Sequence, residues 1–277
     1  TVPELFHANV LRSDAGENIG TMVFVTDMTE QKKALFLARE VQRSLLPGEA
    51  PHVKGLDIAG CNMPCDEIGG DYFDFLWDVD AAASPFSVVV GDITGHGVDS
   101  ALLMSSARAF LRMRASQAGT ISDIVTDMNH HLTEDVYATG RFMTLFYLAI
   151  DGDRNGIAWV RAGHDPALVY DPDQDCFEEL KGPGMALGVD QEYVYRSQRK
   201  TGLRAGQVIV VGTDGLWEGC DSNGEMLGKQ RFKEVIRRNA TASAESILNK
   251  VFQVQAHFTR GMKPEDDITL VVVKIVR

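Results

Sequence analysis

The sequence predicts an α+β sandwich. Strand-like runs and helical stretches come in groups, whereas a doubly wound parallel sheet needs strict alternation of the two. Glycine and aspartate turns punctuate the strands. Over 277 residues, 44% are hydrophobic and 24% charged, enough apolar material for a full core.

The elements follow in order. Residues 5–11 and 21–26 read as strands joined by the turn-rich SDAGEN at 13–18, a hairpin marginal by itself. Thr29 is a candidate N-cap, with Lys32 where a capping box would carry Glu. Residues 30–46 lack Gly and Pro and end at Pro47-Gly48; Ala34, Leu37, Val41 and Leu45 fall on one helical face. That helix either packs on its own domain or pairs with a second copy, with fewer than three heptads for the latter. Beyond Pro51, strands are expected over 56–63, 72–79 and 85–93, then helices over 98–118 and 121–137. Strands over 142–150, 156–161, 167–170, 194–198 and 207–211 follow, then helices over 229–239 and 243–257 and a last strand over 268–276.

Composition narrows the function. A net charge of −12 argues against a nucleic-acid surface, which would need a basic stripe. No apolar run is long enough to span a membrane, and the first residues carry no signal-peptide pattern. The chain starts without methionine, as a piece of a longer polypeptide would. The four cysteines show no zinc-like spacing and read as reduced thiols, which suggests a cytoplasmic setting.

Four acidic landmarks carry the chemistry. Asp71 lies in GGDYFDF, and Asp92 follows the apolar run Val88, Val89, Val90 in VVVGDITGHG. Asp214 follows Val208–Val211 in TDG, and Asp266 and Asp267 precede the apolar Leu270–Val273 in EDDIT. Singly, an aspartate beside glycine is usually a turn residue. Together, carboxylates crowded at strand ends repel one another unless a cation sits among them. Oxygen donors suit a hard ion such as Mg²⁺ or Mn²⁺.

EIGGDYFDF, GDITGHGVDSALLM, TDGLWE and EDDITLVVV together resemble the motifs of metal-dependent protein phosphatases of the PPM, or type 2C-like, superfamily. The likeness spans about 41–276 and is closer to the bacterial sporulation stage II and stress-response branch. Residues 10–34 resemble the last two strands and exit helix of a PAS sensor domain. The resemblance implies a PPM-type α-β-β-α sandwich of two mainly antiparallel sheets flanked by helices, with an N-terminal helical linker. It divides the chain into a PAS-like end (1–28), a helical linker (29–48) and a phosphatase domain (49–277). It further implies two Mn²⁺ or Mg²⁺ ions bridged by Asp92, with the Ile93 carbonyl on one ion, Asp214 and Asp266 on the other, and Asp71 on the opposite side, directly or through water. Asp267 is expected in a supporting role.

Hydrolysis would proceed by attack of metal-activated water on phosphoserine or phosphothreonine, without a phosphoenzyme. His96, between two glycines, is a candidate general acid or a loop-ordering residue. His164 in AGHDP reads as a turn histidine and Asp74 as a turn or surface carboxylate. No arginine upstream of Asp71 matches a phosphate-docking position. The implied substrate is a phosphorylated STAS-type anti-anti-sigma protein, under control of an upstream sensor, with a homodimer through the 30–46 helix. Neither nucleic acid nor membrane contact is expected. The alternatives are a non-catalytic, phosphorylation-dependent interaction module of the same fold and, with less support, a metal-dependent nuclease or pyrophosphatase.

Overall fold

The computed structural model describes residues 3–77 and 84–276. The chain divides into two compact units, one ending at Arg43 and one beginning at Ser44. In the first, β1 (Glu4–Arg12) and β2 (Asn18–Asp27) pair antiparallel, Glu4 opposite Asp27, with an irregularity at Leu11/Arg12. The backbone N–H of Thr29 donates to Asp27 Oδ1 at 2.8 Å as the chain enters α1 (Thr29–Leu45). The expected cap at Thr29 is thus supplied from Asp27, whose carboxyl is held below the ordinary range by its hydrogen bonds with Thr29. Both faces of the hairpin are exposed.

The second unit is a layered sandwich. Its first sheet takes the order β10-β7-β6-β5-β4, using β4 (Tyr72–Leu76), β5 (Phe86–Ile93), β6 (Met143–Ile150), β7 (Gly156–Ala162) and β10 (Gln198–Thr201). The other takes the order β3-β12-β11-β8-β9, using β3 (Leu56–Met63), β8 (Ala167–Asp171), β9 (Cys176–Leu180), β11 (Val208–Gly212) and β12 (Ile268–Ile275). All pairings among these strands are antiparallel. α2 (Val98–Ala115) and α3 (Ile121–Val136) belong with the first sheet. The short α4 (Gly215–Glu218), α5 (Gly228–Asn239) and α6 (Ala244–Phe258) belong with the second.

Strand periodicity explains the layers. In β5, Val88 and Val90 enter the core between the sheets, while Val89 faces the core formed with α2 and α3. In β12, Val271 and Val273 point between the sheets, while Leu270 and Val272 meet Phe232, Ile236, Ile247 and Val251 from α5 and α6. Both faces of these strands are covered, so they read as unbroken apolar runs. The sandwich expected from the grouping of elements is the one observed.

Local departures have physical reasons. β9 was not expected, because CFEEL alternates charged, solvent-facing residues at a sheet edge. The strand expected over 194–198 stands instead at β10, because Tyr195 is pinned as a loop anchor. Its N–H donates to Thr126 Oγ1 at 3.1 Å and its hydroxyl to the Met185 carbonyl at 3.0 Å. α2 stops at Ala115 instead of 118, where the Ser116 N–H caps the Arg112 carbonyl and Gly119 takes φ +146°. α3 starts with a complete capping box between Thr120 and Asp123. The expected continuation of β4 over 78–79 lies outside the described residues.

Candidate metal centre

The strand ends of both sheets deliver the acidic residues. Asp71 immediately precedes β4, Asp92 is the penultimate residue of β5, Asp214 joins β11 to α4, and Asp266 and Asp267 lead into β12. Ile93 buries its side chain in the core beneath α2 and α3, so only its backbone is available to the site. Its carbonyl lies 2.8 Å from where a Cβ on Gly70 would stand, and a Cβ on Gly69 would fall 2.2 Å from Asp267 Oδ2. The paired glycines of GGD are therefore required by close approach of two other strand ends.

Two carboxylates are held by fixed donors. Asp71, 2% exposed, accepts at Oδ2 from the hydroxyls of Thr213 at 2.8 Å and Thr269 at 2.6 Å. Asp267, also 2% exposed, accepts from the backbone N–H of Cys65 and of Gly70, each at 2.7 Å. Asp267 thereby pins the 65–71 segment. Thr213 and Thr269 lie within the TDG and EDDIT motifs, but the role of their hydroxyls became visible only where the fold brings both to Asp71.

The electrostatics show strong mutual repulsion. Burial, and then Asp214, Asp266 and Asp267, push the Asp92 carboxyl up to about 7. Asp71 is raised by burial and by Asp92, against the opposing hydrogen bonds from Thr269 and Thr213. Burial and neighbouring carboxylates raise Asp214 and Asp266 as well. This set of all-oxygen donors, each resisting ionisation because of burial and then of neighbouring carboxylates, fits a hard divalent cation. The carboxylates remain spread: among the described residues, the three donor side chains that gather within 4.8 Å of one another are Cys65, Asp66 and His96.

A cavity of about 290 Å³ opens beside these residues, lined by Asp92, Thr144, His164, Asp165, Asp214, Glu218 and Lys229 among others. His164 lies in the connection between β7 and β8, as the turn reading expects, and is buried there. It is 3% exposed, its Nδ1 lies 2.8 Å from Thr144 Oγ1, and burial lowers its pKa to about 4, so the ring is neutral at pH 7. Lys229 Nζ donates to Asp165 Oδ2 at 2.9 Å and sits 4.8 Å over the Trp217 ring. His96 is largely exposed, with Nδ1 2.8 Å from Asp66 Oδ2.

Asp74 corrects an expectation. It is fully buried on the helix side of β4 and accepts from Tyr72 Oη at 2.6 Å and from Arg112 Nε and Nη2 at 2.6 Å each. The two-residue spacing from Tyr72 carried the signal that both share a face. Its partner on α2 was invisible to local pattern.

Comparison with known proteins agrees with this architecture. Residues 83–276 match the family described as Stage II sporulation protein E (SpoIIE). The phosphoserine phosphatase RsbU of Bacillus subtilis is 26% identical over 245 residues, covering 88% of this chain and 71% of RsbU. The chain spans only 40% and 46% of two further curated relatives. Among solved structures, the SiaA-PP2C domain of Pseudomonas aeruginosa superposes with a TM-score of 0.78 at 23% identity, covering 89% of this chain and 99% of that one. RsbX, solved in complex with magnesium, superposes at 0.60 with 14% identity, covering 81% of this chain and 98% of that one. The chain belongs to the SpoIIE family and carries a PP2C-type, metal-dependent protein phosphatase domain.

Proposed function

We propose that this chain hydrolyses phosphoserine or phosphothreonine on a regulatory protein, using two Mn²⁺ or Mg²⁺ ions held by Asp71, Asp92, the Ile93 carbonyl, Asp214 and Asp266. The carrying observation is the convergence of aspartates from four distant stretches at neighbouring strand ends, where burial and nearby carboxylates hinder their ionisation. When bound, the ions supply Lewis acidity toward the phosphoryl oxygens and the attacking water.

The chain's own side chains do the positioning. Thr213 and Thr269 orient Asp71, and Asp267 holds the segment that presents it. Lys229, half-exposed at the cavity edge, is the cation that meets an incoming phosphate dianion; its ammonium exchanges Asp165 for a phosphate oxygen. That assigns a docking charge where no arginine upstream of Asp71 matches a phosphate-docking position. Neutral His164 orders Thr144 in the cavity wall. His96 is the candidate proton donor to the departing seryl oxygen.

The substrate in this reading is a phosphorylated STAS-type anti-anti-sigma protein, supported by the motif resemblance and by kinship with RsbU, a named phosphoserine phosphatase. Residues 1–28 end a PAS-like sensor, 29–48 link it to the phosphatase domain at 49–277, and the setting is cytoplasmic. Exposed Phe36, Leu37 and Val41 on α1 suit pairing with a second copy.

Purified protein decides the catalytic reading. Hydrolysis of a phosphoserine peptide should require Mn²⁺ or Mg²⁺ and be abolished by Asp92→Asn. Metal-independent turnover, or full activity in that variant, refutes it. A chain beginning at Gly48 tests the linker: unchanged oligomeric state and metal affinity would exclude pairing through α1.

A further inference from the structure

We propose that Cys65, Asp66 and His96 form a second, soft-donor metal site that takes a zinc-class divalent cation, apart from the all-oxygen centre. Cys65 Sγ, a carboxylate oxygen of Asp66 and a ring nitrogen of His96 lie within 4.8 Å of one another. Around one tetrahedral zinc ion, with bonds of about 2.0–2.3 Å, such atoms stand roughly 3.3–3.6 Å apart. Closure therefore needs a contraction of at most about 1.3 Å, within the reach of side-chain rotation. His96 Nδ1 and Asp66 Oδ2, 2.8 Å apart, would open by about half an ångström to let the ion take the place of the contact between them.

The frame around the three donors is partly fixed. The Cys65 backbone N–H is tied to Asp267 Oδ1 at 2.7 Å, and its thiol is buried. Lys263 holds Asp66 through Oδ1, which leaves Oδ2 directed at His96. His96 sits between Gly95 and Gly97, whose φ angles of +85° and +92° set a loop that most other residues would not adopt. Its ring is largely exposed, with its contact to Asp66 on one side.

Electrostatics and donor chemistry point to the same class of ion. Burial, together with Asp267, Asp66 and Asp266, pushes the free Cys65 thiol up to about 12. The anionic surroundings that oppose a bare thiolate favour a divalent cation arriving with it. One thiolate, one imidazole and one carboxylate are a zinc-type set, whereas magnesium and manganese favour oxygen alone. Three protein donors leave the fourth tetrahedral position to solvent. The cation replaces the thiol proton, which passes to solvent, so the step balances without an oxidant or reductant.

The inference rests on this geometry and not on the phosphatase reading, so the test separates them. Cobalt(II) serves as a spectroscopic substitute for zinc, titrated into the whole chain and into Asp92→Asn, which disables the hard-metal centre. A thiolate-to-cobalt charge-transfer band should appear at one ion per chain in both proteins and be displaced by zinc. It should vanish in Cys65→Ser, and Asp66→Asn and His96→Ala should each weaken binding by roughly tenfold or more. His96→Ala alters an exposed ring and keeps the test decisive if Cys65→Ser does not fold. Absence of the band in the unmodified chain, its persistence in Cys65→Ser, or undiminished affinity in His96→Ala overturns the proposal.

Discussion

Asp92→Asn is expected to raise the stability of the metal-free protein at pH 8 while removing its response to metal. In the unfolded chain Asp92 ionises near 3.9, as an ordinary aspartate does; in the fold, burial beside Asp214 and Asp266 moves it to about 7. Between these values the unfolded chain releases a proton that the folded chain retains. Stability is therefore lost progressively as pH rises from about 4 to about 7, and it stays reduced above that. The full cost is about 4 kcal/mol, an upper figure, because neighbouring carboxyls share the repulsion. Asparagine keeps the shape and removes the charge. In a domain of this size a gain of about 2–4 kcal/mol raises Tm by roughly 5–15 °C. Differential scanning fluorimetry in EDTA should show the variant melting above the unmodified protein at pH 8 and converging with it at pH 4. Added Mn²⁺ should raise the melting temperature of the unmodified protein and leave the variant nearly unmoved. A variant that melts lower than the unmodified protein at pH 8 in EDTA would mean that the acidic cluster is not under electrostatic strain, and the case for a cation among these residues would fail with it.

Thr269→Val removes one of two hydroxyl donors from Asp71 Oδ2 and should weaken Mn²⁺ binding roughly 10- to 100-fold by calorimetry. Arg112→Met leaves the buried Asp74 carboxylate without its cation. We expect a loss of about 3 kcal/mol in urea unfolding, partly recovered when Asp74→Asn is added. Gly215→Ala would set a Cβ 2.2 Å from the Asp267 carbonyl oxygen, so about 1–3 kcal/mol of stability should be lost, seen as a lower urea midpoint. Lys229→Gln should raise KM for a phosphopeptide more than it lowers kcat; an unchanged KM would remove Lys229 from phosphate docking.

What could be read from the sequence was local, and what could not was a matter of partners. The unbroken apolar runs that end near Asp92 and Asp214 and begin after the Asp266-Asp267 pair are visible because both faces of β5, β11 and β12 are covered. The edge strand β9 escaped because half its side chains face water. Asp74 was misplaced because its value depends on Arg112, which only the packing of α2 on β4 supplies. Cys65 had no partner at zinc-like spacing because His96 reaches it from beyond β5. The glycines connect these two levels. GGD and TDG are recognisable as patterns, but their cause is long-range: Gly69 and Gly215 each leave room for a different face of Asp267, and Gly70 leaves room for the Ile93 carbonyl. Asp267, flanked by glycines from both sheets and bonded to the segment before β4, is therefore the residue that registers one sheet's carboxylates against the other's. Its replacement should disturb metal affinity even if it never touches the metal.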